Sequence, residues 1–243
     1  MRIIKVNAIN STNEFVRDFY NGNNKFEPVC VTAYTQTKGK GQRGAGWESN
    51  PGENLTFSIL YPEVNVAGSN QFLLSAAVAL SILDVLGKHN IPNLRVKWPN
   101  DIMAANLKIC GILIENILKK NTISASIIGI GLNVNQTEFL NLPKAGSLQL
   151  VAGKTFNTDK LLEELLNSIE RRLQKLTNYL KLEILKEYQS KMFKKDVVST
   201  FQFPDGSHLT GIIRGVSNDG LLKVELEDEV FRVFDLKEIK LLF

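Results

Sequence analysis

The chain has 243 residues, 44% of them hydrophobic and 22% charged, with a formal net charge of +4. That is an ordinary globular balance, long enough for one large domain or a large and a small one, and the slight, dispersed basic excess leaves no nucleic-acid footprint. No secretory signal opens the chain, no apolar run is expected to reach the roughly 18 residues of a membrane span, and two cysteines inside apolar runs, Cys30 and Cys110, fit a reducing cytoplasm better than a disulfide framework.

Met1 to Ala8 reads as a short apolar strand. Ser11 then reads as a helix N-cap, with Glu14 completing a capping box, and the helix carrying Phe15, Val16 and Phe19 is expected to end near Asn21-Gly22. Residues 28–36 form a strand that runs into the glycine-rich stretch QTKGKGQRGAGW, Gln36 to Trp47. Residues 54–62 alternate Leu55, Phe57, Ile59 and Tyr61 against Thr56 and Ser58, a strand pattern. Residues 69–90 are apolar on most sides and read as a buried helix. Residues 94–101 read as a strand ending in a turn, and 108–118 and 122–135 as strands paired across Lys119-Lys120-Asn121. Thr158 starts a long amphipathic helix whose apolar face holds Leu161, Leu162, Leu165, Leu166, Ile169, Leu173 and Leu176, and a second helix reaches about Phe193. From about Lys195 the texture changes to some five short strands with turns at Pro204-Asp205-Gly206 and Asn218-Asp219-Gly220, the pattern of a small β-barrel. The expected fold is α+β, with a mixed β-sheet flanked by helices over residues 1–194 and a small barrel over 195–243.

Gly39-x-Gly41-x-x-Gly44 matches the spacing of the dinucleotide fingerprint, but that motif needs a helix after the glycine turn to meet the pyrophosphate. Here Ala45 to Gly52 leads into another strand, and the Gly-Lys-Ser/Thr ending of a Walker loop is absent as well. Lys38, Lys40 and Arg43 among the glycines suit anion binding by freed backbone N–H groups and fixed charge; a surface loop with solvated charges fits equally well. His89 and His208 lie far apart with no ligand spacing around them, which speaks against zinc. Lys108, at the mouth of an apolar strand, shares strand parity with Cys110, Ile112 and Ile114; it needs either an anionic partner or an exit to water.

Taken together, Ser11-Thr12-Asn13, the stretch 36–47, Lys97-Trp98-Pro99-Asn100-Asp101, Lys108 followed by Gly111-Ile112-Leu113-Ile114-Glu115, and GIGLNVN at 129–135 resemble the biotin protein ligases in order and spacing. The tail from about 195 resembles the small C-terminal SH3-like barrel of that family, so the resemblance covers essentially the whole chain. It is similar to the monofunctional biotin–acetyl-CoA-carboxylase ligases, because no winged helix-turn-helix precedes the catalytic region; binding to nucleic acid or membrane is not expected.

The resemblance implies that biotin and MgATP give biotinyl-5′-AMP, which a lysine of a biotin carboxyl carrier protein then attacks. It implies that Lys108 bridges the biotin carboxylate and the α-phosphate, and that Lys40 and Arg43 neutralise charge. Trp47 would stack on adenine and Asn133 bond the adenine edge, while Asn100 and Asp101 would sit near phosphates and Mg²⁺, with the metal ligands left open. Ser11, Thr12 and Gln36 would meet the ureido ring, and Gly39, Gly111 and Gly131 would let backbone approach biotin. Each also has a plain alternative: a core anchor for Trp47, turn chemistry for Asn100, Asp101 and Asn133, an N-cap for Ser11. The family loop often reads Gly-Arg-Gly-Arg-x-x-Arg-x-Trp; here Lys40, Gln42 and Ala45 stand at the arginine positions, with Arg43 one place along. The competing readings are a lipoate-protein ligase-like adenylating enzyme and a non-catalytic binding module. The family contains monomers and homodimers.

Overall fold

The computed structural model describes residues 1–20, 27–62, 66–120 and 122–243, without the side chains of Arg43, Ser69 and Asn178. The expected helix end at Asn21-Gly22 and the Asn121 end of the turn from Lys119 lie outside the described residues. In chain order the elements are β1 (Arg2–Ile9), α1 (Thr12–Tyr20), β2 (Val29–Gln36), β3 (Leu55–Pro62), α2 (Gln71–Lys88), β4 (Leu94–Lys97), β5 (Asp101–Ala104), β6 (Leu107–Lys119), β7 (Thr122–Leu132), α3 (Leu148–Ala152), α4 (Thr158–Gln174), α5 (Lys181–Ser190), β8 (Val198–Gln202), β9 (His208–Val216), β10 (Leu222–Glu225), β11 (Phe231–Phe234) and β12 (Lys240–Leu242).

The first seven strands form one mixed sheet in the order β1-β2-β3-β7-β6-β5-β4. Only β1 and β2 are parallel, which requires a crossover between them, and α1 supplies it. Val16 of α1 packs with Val29, Val31, Leu60, Ala125 and Ile127 on one face of the sheet. The other face carries α2, backed by α4 and α5. Both faces being covered, β3 is buried along almost its whole length, and its alternation of apolar with Thr56 and Ser58 marks two interior faces rather than one wet one. The apolar face expected of α4 is buried from Leu161 to Leu173.

α2 corrects one expectation. Its 18 residues are long and apolar enough to span a membrane by length and composition, but 67% of that stretch is buried inside the fold, as a core helix must be. The turn expected to end at Asp101 runs straight into a further strand, β5; β4 and β5 make a hairpin around Trp98-Pro99-Asn100, in which the Trp98–Pro99 peptide is cis. The β5–β6 pairing shifts register between Ile102, opposite Cys110, and Met103, opposite Lys108, so β6 carries one extra residue there. The bulge reverses the parity expected for Lys108. Ile109 and Cys110 both enter the core, and Lys108 turns to the side of Gly111.

Strands β8 to β12 form a separate antiparallel sheet in the order β11-β10-β9-β8-β12. It seats directly on the β4–β5 hairpin: the Trp98 indole Nε1 donates to the Gly220 carbonyl at 2.8 Å, and Tyr188 of α5 donates to the Pro99 carbonyl at 3.2 Å. Gly220, at φ +85°, lies under Phe72 so closely that a Cβ would collide with the ring. Phe193 and Phe243 meet edge-on across the same seam, at 5.2 Å between centroids.

Candidate active site

Two adjoining cavities open at the ends of β1, β2, β6 and β7. The first, of about 50 Å³, lies between the start of α1 (Ser11, Thr12, Asn13), Gln36 at the end of β2, the glycine loop (Lys40, Gly41, Gln42, Trp47), and Lys108, Gly111, Gly129 and Gly131 on β6 and β7. The second, of about 330 Å³, is walled by Trp47, Lys97, Asp101, Lys108 and Asn133, by Phe139, Leu142 and Lys144 of the loop before α3, and by Phe243. Trp47 and Lys108 belong to both walls and stand at the boundary.

Trp47 owes this place to two glycines. Gly111 and Gly131 pair across β6 and β7, and ideal Cβ atoms on them would stand 2.9 Å from Cζ3 and 2.5 Å from Nε1 of the indole. Only bare backbone lets the ring lie there. The indole Nε1 is buried without a partner among the described residues, as is Oδ1 of Asn133, whose Nδ2 donates to the Gly146 carbonyl at 2.9 Å. Trp47 lines both cavities and Asn133 the larger, so a donor and an acceptor that are costly to bury unpaired belong to residues of the walls.

The charges converge on Asp101. Its carboxylate lies 2.7 Å from Nζ of Lys108 and 3.7 Å from Nζ of Lys97. Lys108 therefore does have an anionic partner, and its ammonium also lies 5.5 Å from the Trp47 ring centroid. Burial pushes the Lys97 ammonium below the usual lysine range, with Asp101 opposing the shift and Lys108 adding to it. Lys144 sits 4.1 Å from the Phe243 ring centroid and Lys97 5.3 Å, so one aromatic face holds two cations at the edge of the larger cavity.

Several expected residues are used differently. Lys40 lines the smaller cavity, but its ammonium pairs with Glu14 at 2.5 Å, which pulls the Glu14 carboxyl below its ordinary range. Gln36 Oε1 accepts the Thr12 N–H at 2.8 Å, one of the donors a helix start leaves unpaired, and Ser11 is buried in the cavity wall. Asn100 lines the cavity, yet its Nδ2 donates to the Ile112 carbonyl at 2.7 Å and its carbonyl accepts the Ile112 N–H, tying the hairpin to β6. Gly39 lies outside both walls; its carbonyl accepts the Trp47 N–H at 2.9 Å and closes the loop on itself. The Arg43 side chain lies outside what the structure describes. Sequence reasoning missed Lys97, Lys144, Phe243, Ser58 and Glu115. Lys97 and Glu115 lay inside quoted motifs; the others carried no signal short of the fold.

A model of the biotin/lipoate A/B protein ligase family matches residues 6–133. The chain is 33% identical over 177 residues to the bifunctional ligase/repressor BirA of Bacillus subtilis, an alignment that covers 70% of this chain and 53% of that protein, so it spans about half the length of that relative. It is 27% identical over 201 residues to a biotin–acetyl-CoA-carboxylase ligase of Mycobacterium tuberculosis, covering 82% of this chain and 73% of the other. Among solved structures, the biotin protein ligase of Aquifex aeolicus in complex with biotin and ATP superposes with a TM-score of 0.81 at 27% identity, over 99% of this chain and 98% of that one. With more than half of its residues inside the family model, the chain belongs to the biotin/lipoate A/B protein ligase family.

Proposed function

We propose that the protein is a biotin protein ligase, which activates biotin with ATP to biotinyl-5′-AMP and transfers the biotinyl group to a lysine of a biotin carboxyl carrier protein. The observation that carries this reading is the position of Lys108 on the boundary of two cavities, with Trp47 between them. A carboxylate in the smaller cavity and a nucleotide in the larger would meet there. The carboxylate oxygen attacks the α-phosphorus, the bond to the β-phosphate oxygen breaks, and pyrophosphate leaves with its electron pair. The carrier amine then attacks the acyl carbon, AMP leaves, and the amine gives up its proton.

Two anions must be brought into contact, so fixed positive charge dominates the energetics. In this reading Lys108 exchanges Asp101 for the reacting carboxylate and phosphate. Lys40 releases Glu14 in the same way, and Arg43 adds its charge. Trp47 offers its face to adenine, and the orphaned Oδ1 of Asn133 accepts an N–H from the base edge. Magnesium, when bound with ATP, would supply countercharge to the phosphates, and Asp101, a carboxylate in the wall of the larger cavity, would be the residue to hold it. Ser11, Thr12 and Gln36 face the ureido ring. We read residues 1–194 as the catalytic domain and 195–243 as a second domain of SH3-like barrel type, because the two sheets share no strand. Cys30 and Cys110 are free and buried, which supports a reducing, cytoplasmic setting.

Isothermal titration distinguishes this reading from a lipoate ligase, the other branch of the same family. Tight biotin binding without lipoate binding is expected; lipoate binding without biotin binding would overturn it.

A further inference from the structure

Behind the smaller cavity runs a buried chain of oxygen contacts. Gln36 Oε1 lies 3.0 Å from Thr12 Oγ1, Thr12 Oγ1 lies 2.7 Å from Ser58 Oγ, and Ser58 Oγ lies 2.5 Å from Asn13 Oδ1. Thr12, Asn13 and Ser58 are all buried, and Ser58 lies behind the wall rather than in it. The sheet makes room for this chain: the Asn13 amide fills the place of a Cβ on Gly129, directly across from Ser58.

Both ends of the chain have a fixed polarity. At one end the Thr12 backbone N–H can only donate, so the Gln36 atom facing it is the carbonyl oxygen. At the other end the Glu115 carboxylate, paired with the Arg17 guanidinium, accepts at 2.9 Å, so the Asn13 atom facing it is the nitrogen and the atom facing Ser58 is the oxygen. The chain therefore terminates in an acceptor on each side. Between them stand two hydroxyls, with one hydrogen each, and three oxygen–oxygen contacts. The chain is one hydrogen short. Meanwhile the oxygen of the Gln36 amide is occupied, and its NH₂ group, which stands beside Gly39 of the glycine loop, is the end of this wall residue left to donate.

We propose that Ser58, Asn13 and Glu115 are positioning residues that fix the hydrogen-bond polarity of this cavity, so that it selects a ring bearing N–H donors beside a carbonyl acceptor, the pattern of a cyclic urea. A ring N–H supplies the missing hydrogen at Thr12 or Asn13, and the Gln36 amide serves the carbonyl. A dithiolane such as that of lipoate has neither group and leaves the deficit in place. This inference rests on the proposed function, and it adds why the cavity takes biotin rather than its family alternative.

Two substitutions probe the polarity without touching the ligand. Ser58→Ala removes the one hydrogen that Thr12 Oγ1 and Asn13 Oδ1 share, so both acceptors are left to the ring N–H groups and the demand for a donor-bearing ring remains. Glu115→Gln, on a half-exposed side chain, provides an amide that can donate to Asn13; Asn13 can then turn over and give the chain its hydrogen. Biotin and ATP are titrated separately against the wild type and both variants, and biotin labelled with ¹⁵N in the ureido ring is followed by NMR in each. Glu115→Gln is expected to raise the Kd for biotin about tenfold, the worth of one hydrogen bond, Ser58→Ala is expected not to raise it, and both leave the Kd for ATP within about twofold. One ureido N–H resonance, displaced downfield in the wild type, returns toward its free value in Glu115→Gln and stays displaced in Ser58→Ala. Wild-type biotin affinity with an unmoved resonance in Glu115→Gln, or loss of biotin binding in Ser58→Ala, would overturn the inference alone, as would a parallel loss of ATP affinity, which marks a merely structural role. Failure of the wild type to bind biotin would overturn the proposed function and this inference with it.

Discussion

The Trp47 indole rests on the backbone of Gly131, so close that a Cβ on the glycine would stand 2.5 Å from Nε1. The ring that divides the two cavities is placed by the absence of a side chain beneath it. Gly131→Ala must push the indole off the strand, an overpacking of the kind that costs about 1–3 kcal/mol when it occurs in a packed site. Adenylate formation is expected to fall at least about tenfold, read as biotin-dependent ATP–pyrophosphate exchange. Unchanged exchange would mean that Trp47 is only an anchor for its loop.

Lys108 is the one cation shared by both cavity walls among the described residues. Lys108→Ala should abolish pyrophosphate exchange while the protein still unfolds cooperatively. Lys108→Arg should recover little, because a planar fork cannot replace a compact ammonium between two anions. Full exchange in the alanine variant would remove Lys108 from the reaction.

Glu14 and Lys40 give a dependence on acidity. Lys40 lowers the Glu14 carboxyl below its ordinary range, so the contact contributes fully above that range and is lost as pH falls through the depressed value. Both groups are largely exposed, and the effect is on the loop rather than on global stability. Amide hydrogen exchange across residues 38–47 should be faster in Glu14→Gln than in the wild type at neutral pH, after correction for intrinsic rates, and the two should converge in acid. Identical protection at neutral pH would show that the ion pair does not hold the loop.

The second sheet reaches the larger cavity through Phe243, whose ring faces both Lys97 and Lys144. Phe243→Ala should raise the KM for ATP several-fold, about what one exposed to half-buried cation–π contact is worth, and leave the biotin Kd unchanged. Equal losses for both ligands would point to general loosening of the seam instead.

Much of this was legible in the sequence. Apolar runs, alternation and turn signals located the strands of both sheets except β5, while the amphipathic repeat located α4 and its all-round apolar surface α2. The motif residues that meet at the cavities were named from order and spacing. What the sequence hid were features that depend on register and tertiary pairing. The bulge in β6 inverted the facing of Lys108, a shift that alternation counts cannot anticipate. Glu14 was read only as part of a helix start, and its pairing with Lys40 of the glycine loop needs the tertiary fold, as does the Thr12 N–H bond to Gln36. Ser58 looked like the polar side of a strand and is a buried link between Thr12 and Asn13. Phe243 and Lys144 are far apart in sequence and meet only once the second sheet is docked.

The central claim is that this chain joins biotin to a protein lysine. Mass spectrometry of a biotin carboxyl carrier domain, after incubation with the protein, biotin and MgATP, tests it most directly. The expected result is a single biotinyl addition on one lysine, dependent on both substrates and lost with Lys108→Ala. An unmodified carrier, or modification that proceeds with lipoate in place of biotin, would contradict it.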